Sequence, residues 1–190
     1  MQFNTYISAG ALIAAGLVNA AAADLAGLSA VLRDHDVHLP DVTAATAPAI
    51  RAWTGRLRPV FEAAPADKAG LADRLLVTAR CRPRLVSHHG LAPHLHYAPL
   101  DAGLPARVRA LTASGLAHLI ADGAGHRLGC CPRDGCGVVF VDVSRGGRRR
   151  FCSVRCANAV NVRRHRARAQ TAIDRGRSPV PGVASQIRSP

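Results

Sequence analysis

Four of the six cysteines form two close pairs in the last third of the chain. Cys131 and Cys136 are separated by four residues, Cys152 and Cys156 by three, and fifteen residues lie between the pairs. Paired thiols at short spacing are the usual ligands of a closed, tetrahedral zinc site, because each pair closes its loop at a small cost in chain entropy. The spacing therefore predicts one structural Zn²⁺ ion bound by Cys131, Cys136, Cys152 and Cys156.

A disulfide framework is the alternative for these thiols, and it would need an oxidising compartment. The two pairs lie within 26 residues, while the rest of the chain holds only Cys81 and Cys130. Disulfide scaffolds are cysteine-dense throughout, so the metal site is favoured. Cys130 could replace its neighbour Cys131, but adjacent residues rarely face one ion, and we expect Cys130 to be a spare thiol.

The stretch between the two pairs predicts a β-hairpin. Residues 138–141 are β-branched or aromatic and favour a strand, residues 144–147 favour a turn, and residues 149–151 favour the returning strand. The hairpin would then carry one cysteine pair at each end. Gly135 directly precedes Cys136, where a tight ligand-bearing turn needs a positive φ.

A helix is predicted after the hairpin. Residues 154–168 contain neither glycine nor proline, and Ser153 is a suitable N-cap. The second cysteine pair then lies at the start of the helix. The turn that carries Cys131 and Cys136 is a knuckle, and a knuckle, a hairpin and a helix in this order form a treble-clef-like zinc finger.

Positive charge is concentrated in the same part of the chain. Residues 127–190 contain fourteen arginines and three aspartates, a net charge of +11, whereas the whole protein carries +13. Arginine pairs bidentately with phosphate and reads guanine edges, so DNA is the expected partner. A solvated basic tail is the alternative. The side chains expected to bind nucleic acid are Arg148, Arg149, Arg150, Arg155, Asn158, Arg163, Arg164, His165, Arg166 and Arg168.

The finger resembles the bacterial CGNR zinc finger proteins. The shared features are the Cys-x₄-Cys knuckle, the Val-Phe-Val-Asp-Val-Ser-Arg strand, Arg-Phe-Cys-Ser and the Arg-Arg-His-Arg-Ala-Arg run. The resemblance implies a stress-response transcription regulator with an N-terminal domain called ABATE, for which Leu17-Val18-Asn19 is the matching motif. The family's Gly-Asn-Arg after the fourth cysteine is here Ala157-Asn158-Ala159.

Composition divides the chain into three parts. We expect an ABATE-like domain over residues 1–126, the finger and basic helix over 127–175, and a disordered Pro, Ser and Gly-rich tail over 176–190. The predicted fold class is α+β, with a helix-rich mixed N-terminal domain followed by the small treble-clef-like finger and its basic C-terminal helix.

Residues 9–23 are almost wholly apolar and predict a buried helix that runs on to Leu32. An export signal is the alternative, but residues 1–8 carry no Lys or Arg. The stretch is too short to span a bilayer, and the arginine-rich helix after the second cysteine pair has no broad apolar face for a membrane surface. A cytoplasmic location is expected, where thiols stay reduced.

The rest of the N-terminal part predicts further helices and one hairpin. A helix over residues 46–63 would be capped by Thr46 and kinked or ended near Arg58 by Pro59. Residues 67–79 would begin as a helix and run into a strand at 75–77. Residues 84–89 and 94–97 predict a hairpin, and residues 104–121 predict a helix.

The hairpin carries His88, His89, His94 and His96, which raise a second metal site as a hypothesis. In a strand His94 and His96 would share one face, as a chelating pair requires. No carboxylate or cysteine lies close by in sequence, so plain surface histidines are favoured.

Three function classes fit the finger. A DNA-binding transcription regulator is favoured, with an N-terminal domain that senses a signal or forms a homodimer. A metal-dependent nuclease is disfavoured, because such a site needs a histidine base and further metal-binding side chains, and between Cys136 and Cys152 there is no histidine and only Asp142. An RNA-binding or protein-interaction module is the alternative, since arginine serves phosphate contacts of every kind.

Overall fold

The computed structural model describes residues 5–35, 39–87, 92–99 and 101–176. The elements form two compact units, Met1–Cys152 and Ser153–Pro190. The predicted α+β class is confirmed, while the domain boundaries taken from composition stay a prediction. The predicted tail lies outside the described residues except for Gly176, which ends the last helix. The helices are α1 (Thr5–Asn19), α2 (Leu25–Arg33), α3 (Ala47–Glu62), α4 (Lys68–Thr78), α5 (Leu104–Ala121) and α6 (Val154–Gly176), and the strands are β1 (Arg84–Val86), β2 (His94–His96), β3 (Leu128–Cys130) and β4 (Val139–Val141).

Helix α1 lies at the centre of the first unit. Ile13 and Leu17 are fully buried, and the helix packs against α5, α3 and β4. Glycines let α1 and α5 approach closely, since a Cβ on Gly115 would lie 2.7 Å from the Cα of Gly10. The glycines at this crossing therefore let α1 pack closely against α5.

The single helix predicted over residues 9–32 is wrong. Helix α1 ends at Asn19, and α2 begins at Leu25 with Asp24 as its N-cap. The Asp24 carboxylate accepts a hydrogen bond from the Gly27 N–H at 2.8 Å. This cap satisfies an N–H that a continuous helix would have bonded internally, and the alanine-rich turn before it gave no sign of the break.

Pro59 does not end its helix, because α3 continues to Glu62. Val60 and Phe61 are 0% and 2% exposed, and burying them outweighs the hydrogen bond that proline removes. Thr46 is the N-cap residue of α3 as predicted, but its side chain makes no capping hydrogen bond. The Thr46 hydroxyl instead accepts a hydrogen bond from the Thr43 N–H at 3.0 Å.

The strand predicted at residues 75–77 is wrong, since α4 runs without interruption to Thr78. Ala72 and Leu75, three residues apart, are buried, while Val77 is 70% exposed. This burial pattern has the helical period rather than the alternation of a strand. The predicted hairpin and the predicted helix that follows it are confirmed. Strands β1 and β2 pair antiparallel with Leu85 opposite Leu95, and α5 covers residues 104–121.

Candidate metal centre

The knuckle that carries the first two cysteines connects β3 to β4. The strands are antiparallel, with Leu128 opposite Val141 and Cys130 opposite Val139. The predicted partner strand at residues 149–151 is therefore wrong, because β4 pairs with the strand before the knuckle. Strand β3 was missed because it holds only three residues and has a glycine at its centre. A Cβ on Gly129 would lie 2.8 Å from the ring of Phe140, so the glycine makes room for that ring.

The four cysteines predicted as ligands lie together. Their sulfur atoms all fall within 4.8 Å of one another, with Cys131 and Cys156 buried and Cys136 and Cys152 half-buried. The Sγ atoms of Cys136 and Cys152 are 3.6 Å apart, far beyond the ~2.05 Å of a disulfide bond. None of the six cysteines, all of which lie among the described residues, forms a disulfide bond. The cluster is thus positioned to bind a metal ion.

Local hydrogen bonds prepare one of these thiols for a metal. Burial by itself would raise the pKa of Cys131, but the backbone N–H groups of Cys152 and Arg133 and the thiols of Cys152 and Cys136 lower it below its usual value. The metal-binding form of cysteine is the thiolate, so the site favours the state that a metal needs.

Cys130 has the opposite environment. Its side chain packs against the hydrophobic core, and burial raises the pKa of its thiol. It does not belong to the four-cysteine cluster. The neighbouring Cys131 turns toward the cluster because successive side chains of an extended chain point to opposite faces.

A buried carboxylate organises the loop between β4 and Cys152. Asp142 is 2% exposed and accepts hydrogen bonds from the N–H groups of Ser144 at 2.9 Å and Arg149 at 2.7 Å. Burial alone would raise the pKa of Asp142, but these hydrogen bonds and the charge of Arg127 hold it below its usual range. The Arg127 guanidinium also donates to the carbonyls of Asp142 and Ser144 at 2.9 and 2.7 Å. The predicted turn at 144–147 is present, with φ of +58° at Gly147.

Arg149 holds the backbone at the third cysteine, Cys152, in place. Its guanidinium lies 4.8 Å above the Phe140 ring centroid, its Nε donates to the Phe151 carbonyl at 3.0 Å, and its Nη2 donates to the Cys152 carbonyl. Sequence reasoning grouped Arg149 with the nucleic-acid contacts, and the structure adds this positioning role.

The predictions for the knuckle turn and for the helix after the hairpin are confirmed. Gly135 has φ of +74°. The Ser153 hydroxyl accepts a hydrogen bond from the Cys156 N–H at 3.2 Å, which makes Ser153 the N-cap. The side chains proposed for nucleic acid are exposed, namely Arg148, Arg149, Arg150, Arg155, Asn158, Arg163, Arg164, His165, Arg166 and Arg168.

Sequence reasoning missed three side chains that hold the β3–β4 hairpin. Asn19 bonds to Val139, Arg58 bonds to Gly137, and Lys68 bonds to the start of β3. Of the three, only Asn19 could have been noticed in the sequence, because it belongs to the motif on which the resemblance to the ABATE domain rests. The other two lie far from the finger in sequence and have no motif of their own.

Among the described residues, no third ligand lies beside the two histidines of the hypothetical second metal site. His94 and His96 share a face of β2 as predicted, and their Nε2 atoms are 3.0 Å apart. His88 and His89 lie outside the described residues. Over residues 5–35, 39–87, 92–99 and 101–176, the four cysteines are the only group of three or more side chains able to hold a metal ion.

In the part of the chain that the structure describes, no helix is both long enough and apolar enough to cross a bilayer.

Comparison with known families identifies the segment that holds this centre. Residues 127–169 match the CGNR zinc finger, which confirms the resemblance for the finger. The match includes all four cysteines and the arginines up to Arg168. A search of curated proteins finds no match to the chain.

Proposed function

We propose that this protein is a zinc-dependent, DNA-binding transcription regulator. The observation that carries the proposal is a four-thiol cluster whose last ligand, Cys156, belongs to a helix with exposed arginines. Four thiolates within 4.8 Å of one another suit Zn²⁺, which has no redox chemistry and serves as a purely structural ion in four-cysteine sites. The metal would fold the finger, and the finger would present the arginines to DNA.

The charge of the finger supports an anionic partner. Of the three aspartates in residues 127–190, Asp142 is buried and bonded within its own loop. The exposed arginines Arg163, Arg164, Arg166 and Arg168 therefore belong to a segment with little internal compensation of charge. Phosphate contacts by several arginines would release counterions and give a strongly salt-dependent affinity.

The same residues favour a binding protein over a nuclease. Asp142, the candidate catalytic carboxylate of the finger, already accepts two backbone hydrogen bonds and lies 2% exposed. A carboxylate in this state is a structural element of the loop. We therefore propose that the finger has no catalytic role.

The alternative is an RNA-binding or protein-interaction module. Recognition of single-stranded RNA usually needs aromatic rings on which bases stack. The finger has only two aromatic rings. Phe140 is 7% exposed and lies under Arg149, and Phe151 is half-buried, so neither ring is fully presented to a base. This argues for duplex DNA rather than single strands.

The rest of the proposal concerns the first unit and the cellular setting. We place the protein in the cytoplasm, where thiols remain reduced for zinc. The N-terminal part, in the role that the ABATE resemblance implies, would sense a signal or form a homodimer.

The test compares binding to duplex DNA and to RNA at two salt concentrations. Removing an arginine that neutralises a phosphate should reduce the log–log salt slope by about one unit. Arg164→Ala and Arg166→Ala are the test variants, and Arg56→Ala is the matched control, since Arg56 is exposed on α3. Binding that is insensitive to salt and to all three variants would favour the protein-interaction alternative. Metal analysis without zinc would remove the metal part of the proposal.

A further inference from the structure

The outer edge of β4 is held by a side chain instead of a third strand. The Val138 carbonyl bonds toward the knuckle, accepting from the Cys131 N–H at 2.9 Å. Because backbone groups alternate between the two edges of a strand, those of Val139 face the other edge. There the Asn19 Nδ2 donates to the Val139 carbonyl at 2.9 Å, and the Asn19 Oδ1 accepts from the Val139 N–H at 2.9 Å.

The chemistry of this contact is specific to a carboxamide. A backbone carbonyl can only accept and a backbone N–H can only donate, so both partners fix the orientation of the Asn19 amide. Aspartate would keep the acceptor but place a charged oxygen against the Val139 carbonyl. Alanine would leave both half-buried backbone groups of Val139 without this partner.

Val139 directly follows the residue that holds the knuckle together. The Val138 carbonyl accepts from the Cys131 N–H, and the Val138 N–H donates to the Cys136 carbonyl. Both knuckle ligands are therefore tied to Val138, and Asn19 fixes the next residue along the chain. A displacement of β4 would move both thiols out of place.

Two basic side chains hold the same hairpin at other points. Arg58 on α3 donates to the Gly137 carbonyl at 3.0 Å. Lys68 on α4 is 4% exposed and donates to the carbonyls of Leu128 at 2.5 Å and Gly125 at 3.3 Å. Helices α3 and α4 therefore bind the backbone on both sides of the knuckle, through Lys68 before it and Arg58 after it.

We propose that Asn19 is a positioning residue for the metal centre, and that metal affinity depends on the seating of α1 against β4. By thermodynamic reciprocity, metal binding stabilises α1 to the same degree that Asn19 strengthens metal binding. This inference rests on the metal part of the proposed function and is independent of DNA binding.

The experiment is a Co²⁺ titration of the reduced, full-length protein, because the absorption of Co²⁺ reports thiolate coordination. Asn19→Ala and Asn19→Asp should each weaken Co²⁺ binding on the order of 10-fold, the lower end of what outer-shell partners of metal ligands contribute. Thr112→Val is the control. It removes a buried hydrogen bond of 2.9 Å from the Trp53 Nε1 between α3 and α5, and it should leave Co²⁺ affinity unchanged.

Hydrogen exchange of the wild-type protein tests the reciprocal effect without any substitution. Chelation of the metal should accelerate amide exchange at Val139 and along residues 9–19. Wild-type Co²⁺ affinity in both Asn19 variants, or unchanged α1 exchange after chelation, would overturn the role of Asn19 while leaving the metal centre standing. An equal loss of affinity in Thr112→Val would show that general destabilisation is the cause. Wild-type protein that binds no Co²⁺ would instead remove the metal centre itself.

Discussion

Helices α1 and α5 cross closely at Gly10 and Gly115, and one substitution tests this crossing directly. A Cβ added at Gly115 would lie 2.7 Å from the Gly10 Cα and from the Ala11 nitrogen. Ordinary contact begins near 3.4 Å, so the two helices must separate by about 0.7 Å. Overpacking of this kind costs about 1–3 kcal/mol, whereas replacing a helical glycine by alanine gains about 1 kcal/mol.

Overpacking should win in Gly115→Ala, because the obstructing atoms are backbone and cannot rotate away. The difference between the two terms is about 0–2 kcal/mol, and because the obstructing atoms are backbone we expect its upper half, a net loss of about 1–2 kcal/mol. The thermal midpoint, measured by far-ultraviolet circular dichroism, should then be roughly 2–8 °C lower. Gly55→Ala on α3 is the matched control, since its Cβ would meet nothing within 4 Å. It should gain up to about 1 kcal/mol. A Gly115→Ala protein as stable as wild type would refute the tight crossing.

Three further substitutions test the finger. Cys131→Ser should abolish zinc binding while Cys130→Ser retains one equivalent, measured by metal analysis; unchanged zinc in Cys131→Ser would transfer the ligand role to its neighbour. The pKa of Asp142 is lower in the folded than in the unfolded protein, so its stabilisation is complete above about pH 4 and is lost as pH falls through the folded pKa. Thermal melts of Asp142→Asn should therefore show lower stability at neutral pH and a flatter acid limb than wild type. Arg149→Ala should lower both metal affinity and the thermal midpoint, because a cation–π contact of about 0.5–1 kcal/mol and two hydrogen bonds are lost, whereas Arg148→Ala should change neither.

The parts of the metal centre that the sequence predicts correctly are those set by neighbours along the chain. The cysteine spacing, the positive φ of Gly135 and the Ser153 cap each depend on a few consecutive residues. The partner of β4 depends on tertiary packing. Gly129 has no side chain, which leaves space for the Phe140 ring. The same lack of a side chain weakens the local strand signal, so the sequence does not predict β3.

The errors in the first unit have a similar cause. An alanine-rich stretch has helical propensity throughout, so the break between α1 and α2 is decided by the Asp24 cap and by packing rather than by the sequence of the turn. Pro59 is a strong local stop signal, yet the burial of Val60 and Phe61 overrides it. A proline inside a helix costs roughly 3 kcal/mol, and burial of two large side chains worth about 1.5–3 kcal/mol each is enough to offset it.

With a metal ion bound to the four cysteines, the hairpin of this finger would have two sources of stability. Most small zinc modules depend on their metal, which supplies an apparent 10–16 kcal/mol or so at neutral pH. Here Leu128, Val139 and Val141 are also buried in the same hydrophobic core as the helices, and each contributes about 1.5–3 kcal/mol before entropy is counted. The metal term is the larger, but the packing term is not negligible beside it. Loss of metal should therefore weaken the structure of the knuckle while the hairpin stays packed against α1. Under the proposal above, the hydrogen bonds of Asn19 to Val139 transmit this change to the helix.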